Sequence, residues 1–106
     1  MKHLKEWMKP EKRKTNKPMN FLGGKSQVRH FPKGVVGIIS PWNLPFGLTV
    51  APLTSALAAG NRALLKPSDF VPKTAALFAE VVPKYFSEDE VAIVTGGADI
   101  SQRFAE

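Results

Sequence analysis

The chain has 106 residues, 43% of them hydrophobic and 9% aromatic, with a formal net charge of +6, a balance that supports a core and excludes a disordered polymer. Cysteine is absent, which excludes a disulfide scaffold, a thiolate metal site and a thiol nucleophile among these residues. The first residues are charged and no run of about 18 apolar residues follows, which argues against a signal peptide or a membrane span and makes a cytoplasmic protein the expectation.

Charge is unevenly spread. Residues 1–33 hold ten Lys and Arg against two Glu, a net +8, whereas residues 34–106 hold five against seven acids, a net −2. A basic arm thus precedes a nearly neutral body. Such an arm could bind polyanions, but a solvated face or a subunit contact is the commoner reason for one.

Within the arm, Leu4, Trp7 and Met8 follow helical spacing, and Pro10 stops that helix or follows its end. The stretch EKRKTNKPMNFLGGKS has turn-formers and no apolar period, so an exposed connection is expected. SQVRHFPKG alternates weakly and is expected to form a strand that ends by Pro32 and Gly34. At residue 35 the character changes. VVGIIS is a continuous β-branched run of the kind covered on both faces of a sheet. GLTVAPLTSALAAG reads as a buried helix, kinked or begun at Pro52 and stopped by Gly-Asn. RALLKPS is a second strand. PKTAALFAEVVPKYF is a helix opened by Pro72, with Leu77, Val81 and Tyr85 on one stripe and Pro83 in or ending its last turn. VAIVTGG is a third strand, and ADISQRFAE starts another helix.

Alternating strands and helices specify an α/β fold with a parallel sheet and crossover helices. Three such strands leave open edges and little cover. The expectation is a piece of a larger α/β domain, with residues 1–33 as a basic helix and arm and residues 34–106 as part of a Rossmann-like domain.

GGKS at residues 23–26 mimics the end of a phosphate-binding loop, but position 19 holds Met19 where the pattern needs glycine, and no buried strand precedes it. Gly34 and Gly37 fail the dinucleotide glycine spacing. His3 and His30 have no carboxylate or second histidine at metal-ligand spacing, so each is expected to be a surface side chain and no metal site is expected. Asn43, between Pro41 and Pro45, follows the first strand of the body at the end of the sheet where ligands bind. Its amide carries two donor hydrogens, and an aimed neutral donor is what a developing oxyanion needs. The competing reading is a turn asparagine that caps the following helix. Lys66 ends the second strand, with Asp69 just beyond it. The pair could meet ribose hydroxyls or a 2′-phosphate, or Ser68 or Asp69 could simply cap a helix.

Through GVVGIISPWN, AAGN, LKPS and VVPKYFSEDEVAIVTGG, residues 34–106 resemble the aldehyde dehydrogenase superfamily, and WMKPEKR upstream is also similar. The wording is nearest the branch that holds coniferyl aldehyde dehydrogenases and class 3 fatty aldehyde enzymes. The resemblance implies a dehydrogenase that oxidises an aromatic or aliphatic aldehyde to the acid with NAD or NADP, by way of a cysteine thiolate and a glutamate-activated water. It implies that Asn43 holds the oxyanion and that Ser40, Pro41 and Trp42 lie along the cofactor. Lys66 and Asp69 take the ribose-binding positions, and Gly97 lies near the adenine pocket. Leu44 stands where an aromatic is common, and Asp69 is one methylene shorter than the family's glutamate, which leaves NAD against NADP open. The family's glycine-rich turn, glutamate and cysteine come later than residue 106, so this stretch is expected to have no turnover alone. The arm then becomes a β-structured segment for assembling a homo-oligomer, a dimer in the full-length enzyme. The alternative from another class is a non-catalytic basic module for nucleic acid or assembly. It is the weaker reading, because the arm lacks interleaved aromatics on a sheet face.

Overall fold

The computed structural model describes residues 3–106, apart from the side chains of Leu4 and Trp7. The helical stripe expected of those two side chains therefore lies outside the described residues, while Met8 is exposed. The chain forms two compact units divided between Pro32 and Lys33.

The first unit contains a short helix α1 (Leu4–Trp7), strand β1 (Glu11–Arg13), helix α2 (Lys17–Phe21) and strand β2 (Ser26–Val28). β1 and β2 pair antiparallel, Glu11 opposite Val28 and Arg13 opposite Ser26. The expected featureless connection is thus partly structured. The reason lies in the backbone: every β1 side chain is exposed, so no apolar period marks the strand, and ladder bonds alone define it. Pro18 opens α2, where its missing N–H is no loss. The glycines of GGKS serve the return turn. Gly23 has φ 77°, and a Cβ on Gly24 would stand 2.7 Å from the Met19 carbonyl oxygen.

The second unit is α/β. Strands β3 (Val35–Ile39), β4 (Arg62–Lys66) and β5 (Val91–Ile93) lie parallel in that order. Helix α3 (Gly47–Ala58) crosses from β3 to β4 and α4 (Pro72–Tyr85) from β4 to β5, and α5 (Ala98–Ala105) follows. Ile38, Leu53, Ala63, Leu65, Phe78, Val82 and Val91 form the core. Side chains alternate across a strand, so Gly37 faces away from Ile38. There α5 touches the middle of β3 alone, and a Cβ on Gly37 would meet the Phe104 ring at 2.7 Å.

Three expectations need correction. β3 is not covered on both faces, because Val35 and Ile39, which share the Gly37 face, are 66% and 53% exposed. α3 begins at Gly47, five residues before Pro52, and runs through it; the proline forfeits one i→i−4 bond on an exposed position. The buried stripe of α4 is Ala75, Phe78 and Val82, with Val81 only partly covered and Leu77 and Tyr85 exposed. Both stripes have helical spacing, and Phe78 and Val82 are the ones that enter the core cluster; Phe78 also stacks on Phe46, with centroids 5.9 Å apart.

Asn61, read as part of a helix stop, also ties the second unit together. Its side-chain oxygen accepts from the Lys33 and Gly34 N–H groups at 2.6 and 3.1 Å, and its Nδ2 donates to the Ala56 carbonyl at 3.3 Å. The end of α3 is thereby tied to the start of β3.

In the 106-residue chain, Phe78→Ala is expected to cost about 3–5 kcal/mol and Leu77→Ala about 0.5 kcal/mol or less. Urea unfolding checks both, and a larger loss for Leu77→Ala than for Phe78→Ala would mean that the other stripe is the buried one.

Candidate functional site

Strands β3 and β4 both run into a proline at the same level. The β3–β4 register pairs Ile39 with Lys66, and the Ser40 N–H then donates to the Lys66 carbonyl at 3.0 Å. Pro41 and Pro67 follow, and neither has an N–H with which to continue the ladder. The carboxyl ends of β3 and β4 therefore form one rim.

Ser40 and Lys66 are nearly inaccessible, 3% and 1% exposed. The Lys66 ammonium donates to the Pro67 carbonyl at 3.1 Å and lies 3.9 Å from the Asp69 carboxylate, which is half exposed. A buried ammonium needs such partners. It has three donors, so this arrangement leaves capacity for a further acceptor. A Cβ built on Gly97 would lie 3.9 Å from Asp69 Oδ2, so the turn after β5 comes up beside the same carboxylate. Ser40, Lys66, Asp69 and Gly97 thus gather along one edge of the sheet.

Pro41, Trp42 and Asn43 lie on the exposed loop that leaves β3. No hydrogen bond joins the Asn43 side chain to any described residue. The capping alternative fails here, because the N-cap of α3 is Phe46 and no side chain bonds to that helix end. The same holds one strand over. The N-cap of α4 is Val71 without a side-chain bond, and Ser68 instead accepts from the Phe70 N–H at 3.2 Å to close a turn.

One buried hydroxyl, that of Thr49, escaped the sequence reading, while Ser68 was read there only as a possible cap. Thr49 is fully buried, with its oxygen 2.6 Å from Ser40 Oγ and 2.5 Å from the Pro45 carbonyl oxygen. Ser68 is 8% exposed. The available signal for Thr49 was a hydroxyl in an otherwise apolar segment, six residues after Asn43. Among the described residues no group of three or more His, Cys, Asp or Glu could hold a metal ion, and no helix is long and apolar enough to cross a membrane.

Residues 2–106 match the family model described as the aldehyde dehydrogenase family. A probable coniferyl aldehyde dehydrogenase of Caulobacter vibrioides is 51% identical over 97% of this chain and 21% of its own length. The AldH of Staphylococcus aureus, solved in a substrate-bound state, superposes with a TM-score of 0.88 at 35% identity, over 96% of this chain and 22% of that one. An aldehyde dehydrogenase of Mycobacterium tuberculosis complexed with NAD+ gives 0.71 at 35% identity, over 90% and 19%. The chain spans about a fifth of the curated relatives it matches.

Two neighbouring glycines separate backbone need from open space at this edge. Gly96 has φ 147° and a Cβ there would meet Ile100 at 2.5 Å, whereas Gly97 has φ −80° and only ordinary contacts. Gly96→Ala should therefore cost more than about 1 kcal/mol and Gly97→Ala less than about 0.5 kcal/mol, as read from denaturant midpoints.

Proposed function

This chain belongs to the aldehyde dehydrogenase family, and we propose that it supplies one side of the cofactor cleft and the oxyanion donor of an enzyme that oxidises aldehydes to carboxylic acids. The observation that carries the proposal is Asn43: a donor amide with no internal partner, on a loop leaving the rim where Lys66 and Asp69 meet. Residues 1–33 are read as an assembly arm and residues 34–106 as part of the dinucleotide-binding domain.

NAD or NADP is the cofactor of this reading, and it supplies the acceptor for the hydride that leaves the aldehyde carbon. The residues present suit it. A ribose diol both donates and accepts, and Lys66 with Asp69 offers donors and an acceptor side by side. Gly97 leaves the adjoining surface open, since nothing nearer than the carboxylates of Asp99 and Asp69 would meet a side chain there. Ser40, Pro41 and Trp42 would line the path between the two ends, with the exposed Trp42 face available for stacking.

Asn43 acts at the reacting centre. When a nucleophile adds to the aldehyde carbon, negative charge moves to the carbonyl oxygen, and the amide N–H groups of Asn43 can donate to it. The amide is neutral and so takes no proton and needs no protonation state. Its contribution is aim, with Pro41 and Pro45 limiting the backbone on both sides. The nucleophile is a thiolate in this reading. The 106 residues contain no cysteine, so they have no turnover by themselves.

The substrate proposal is an aldehyde of the coniferyl type, supported by the name of the Caulobacter relative. A cytoplasmic homodimer is the proposed setting, supported by the two-stranded sheet and the exposed Phe21, Leu22 and Phe31 of the first unit, which leave edges and apolar surface for a second subunit.

In the full-length protein, Asn43→Ala is expected to lower turnover about 100- to 1,000-fold and to leave dinucleotide affinity nearly unchanged. Lys66→Ala is expected to do the reverse, weakening dinucleotide binding more than it slows chemistry. Steady-state rates with a direct cofactor titration separate the two, and an Asn43→Ala enzyme of normal rate would remove the oxyanion role.

A further inference from the structure

We infer that Thr49 is a positioning residue, whose buried hydroxyl clamps both ends of the loop that carries Asn43. This rests on the oxyanion reading above and extends it to a residue in the following helix.

The proton count fixes the direction of the clamp. Thr49 has one hydroxyl hydrogen and oxygens on two sides, Ser40 Oγ at 2.6 Å and the Pro45 carbonyl at 2.5 Å. A carbonyl only accepts. Thr49 therefore donates to Pro45, and the Ser40 hydroxyl donates to Thr49. The result is a relay, Ser40 to Thr49 to Pro45, in which each hydroxyl hydrogen is used once.

A helical threonine often bonds back to the carbonyl four residues before it, with little consequence. Here that carbonyl belongs to Pro45, before α3 begins at Gly47. The second partner lies nine residues away, beyond the end of β3. The two tethered positions, 40 and 45, flank residues 41–44, and Asn43 is inside that span. Thr49 is completely buried and Ser40 nearly so, so water does not compete for these bonds and losing either strands a buried polar group. The remaining loop has few ways to move, since Pro41 and Pro45 restrict its backbone as well.

The test uses the full-length enzyme with Thr49→Val, Thr49→Ser, Asn43→Ala and the Thr49→Val/Asn43→Ala double variant. Valine keeps the shape of threonine and removes the hydroxyl; serine keeps the hydroxyl. Thr49→Val is expected to lower kcat about 10- to 100-fold while the directly titrated dinucleotide Kd stays within about twofold, because the buried Thr49 hydroxyl aims the amide and is not itself on the cofactor path. Thr49→Ser should recover most of the rate. In the Asn43→Ala background, Thr49→Val should add less than about a twofold loss, since an absent amide cannot be misaimed. A role confined to stability would lower the melting temperature and slow the enzyme equally in both backgrounds, which overturns the inference. So does a normal rate in Thr49→Val when Asn43→Ala is slow, or a serine variant as poor as the valine one. If Thr49→Val does not fold, Ser40→Ala takes its place. It removes the first donor of the relay and should lower kcat severalfold, again only while Asn43 is present; an unchanged rate refutes the clamp. A normal rate in Asn43→Ala marks failure of the oxyanion reading itself.

Discussion

One backbone hydrogen bond, from the Ser40 N–H to the Lys66 carbonyl, determines where β3 and β4 stop. It is the last rung available, because each strand continues into a proline that cannot donate. Two X-Pro steps at the same height turn an ordinary pair of parallel strands into a level rim. Both chains must then leave the sheet at once, and the residue before each proline is itself held to extended backbone. The two exits therefore point in set directions before any tertiary contact is made. Neighbouring strands run about 4.8 Å apart, so groups on the two exits can serve one ligand lying across them.

The two exits carry different chemistry, and burial accounts for the difference. On β4 the rim residue is a lysine whose side chain is folded under the rim, satisfied by Pro67 and facing Asp69. A charge so placed is costly to strand, which keeps its carbonyl and carboxylate partners with it. On β3 the rim residue is a small serine spent on an internal bond, and the polar group offered outward is a neutral amide three residues later. Charge is held close to the sheet, and the uncharged donor stands out from it. A dinucleotide laid along that edge would find ionic partners for its sugar at one end and a neutral donor at the other. This is the distribution expected if the sugar must be held tightly and the reacting oxygen stabilised only as it becomes negative.

Much of this was legible in the sequence, for identifiable reasons. The order of strands and helices in the second unit follows from apolar runs separated by Gly-Asn, Pro-Ser and Gly-Gly, each of which ends an element locally. Lys66 and Asp69 could be placed together because a strand end and a short turn leave little choice. What failed to show were features that depend on partners distant in sequence. β1 exists through its ladder with β2 and carries no apolar signature of its own. The buried side of α4 is not legible locally because Leu77, Val81 and Tyr85 are spaced as well as Ala75, Phe78 and Val82; the packing of Phe78 and Val82 into a core built from β3, α3, β4 and β5 decides between them. Asn61 read as a helix stop, yet two of its three bonds reach back to Lys33 and Gly34. Thr49 was invisible for the same reason, since its partner Ser40 belongs to the preceding strand exit.

A fixed loop is worth more to a neutral donor than to a charged one. A charge attracts its partner from several ångströms in any orientation, whereas an amide hydrogen bond weakens steeply once its angle departs from linear. An enzyme that relies on an asparagine must therefore supply orientation by structure. Entropy would otherwise scatter the side chain, since an exposed loop residue is free to sample many states. Under the role proposed for Asn43, residues 41–44 would meet that demand three ways: a ladder rung at one end, the prolines at 41 and 45, and a buried pair of hydroxyls bridging the ends. Each removes freedom that the bare loop would have, and none uses a charge that could compete with the ligand. The loop can thus remain open to solvent and still hold a direction, which is the combination a preorganised donor requires.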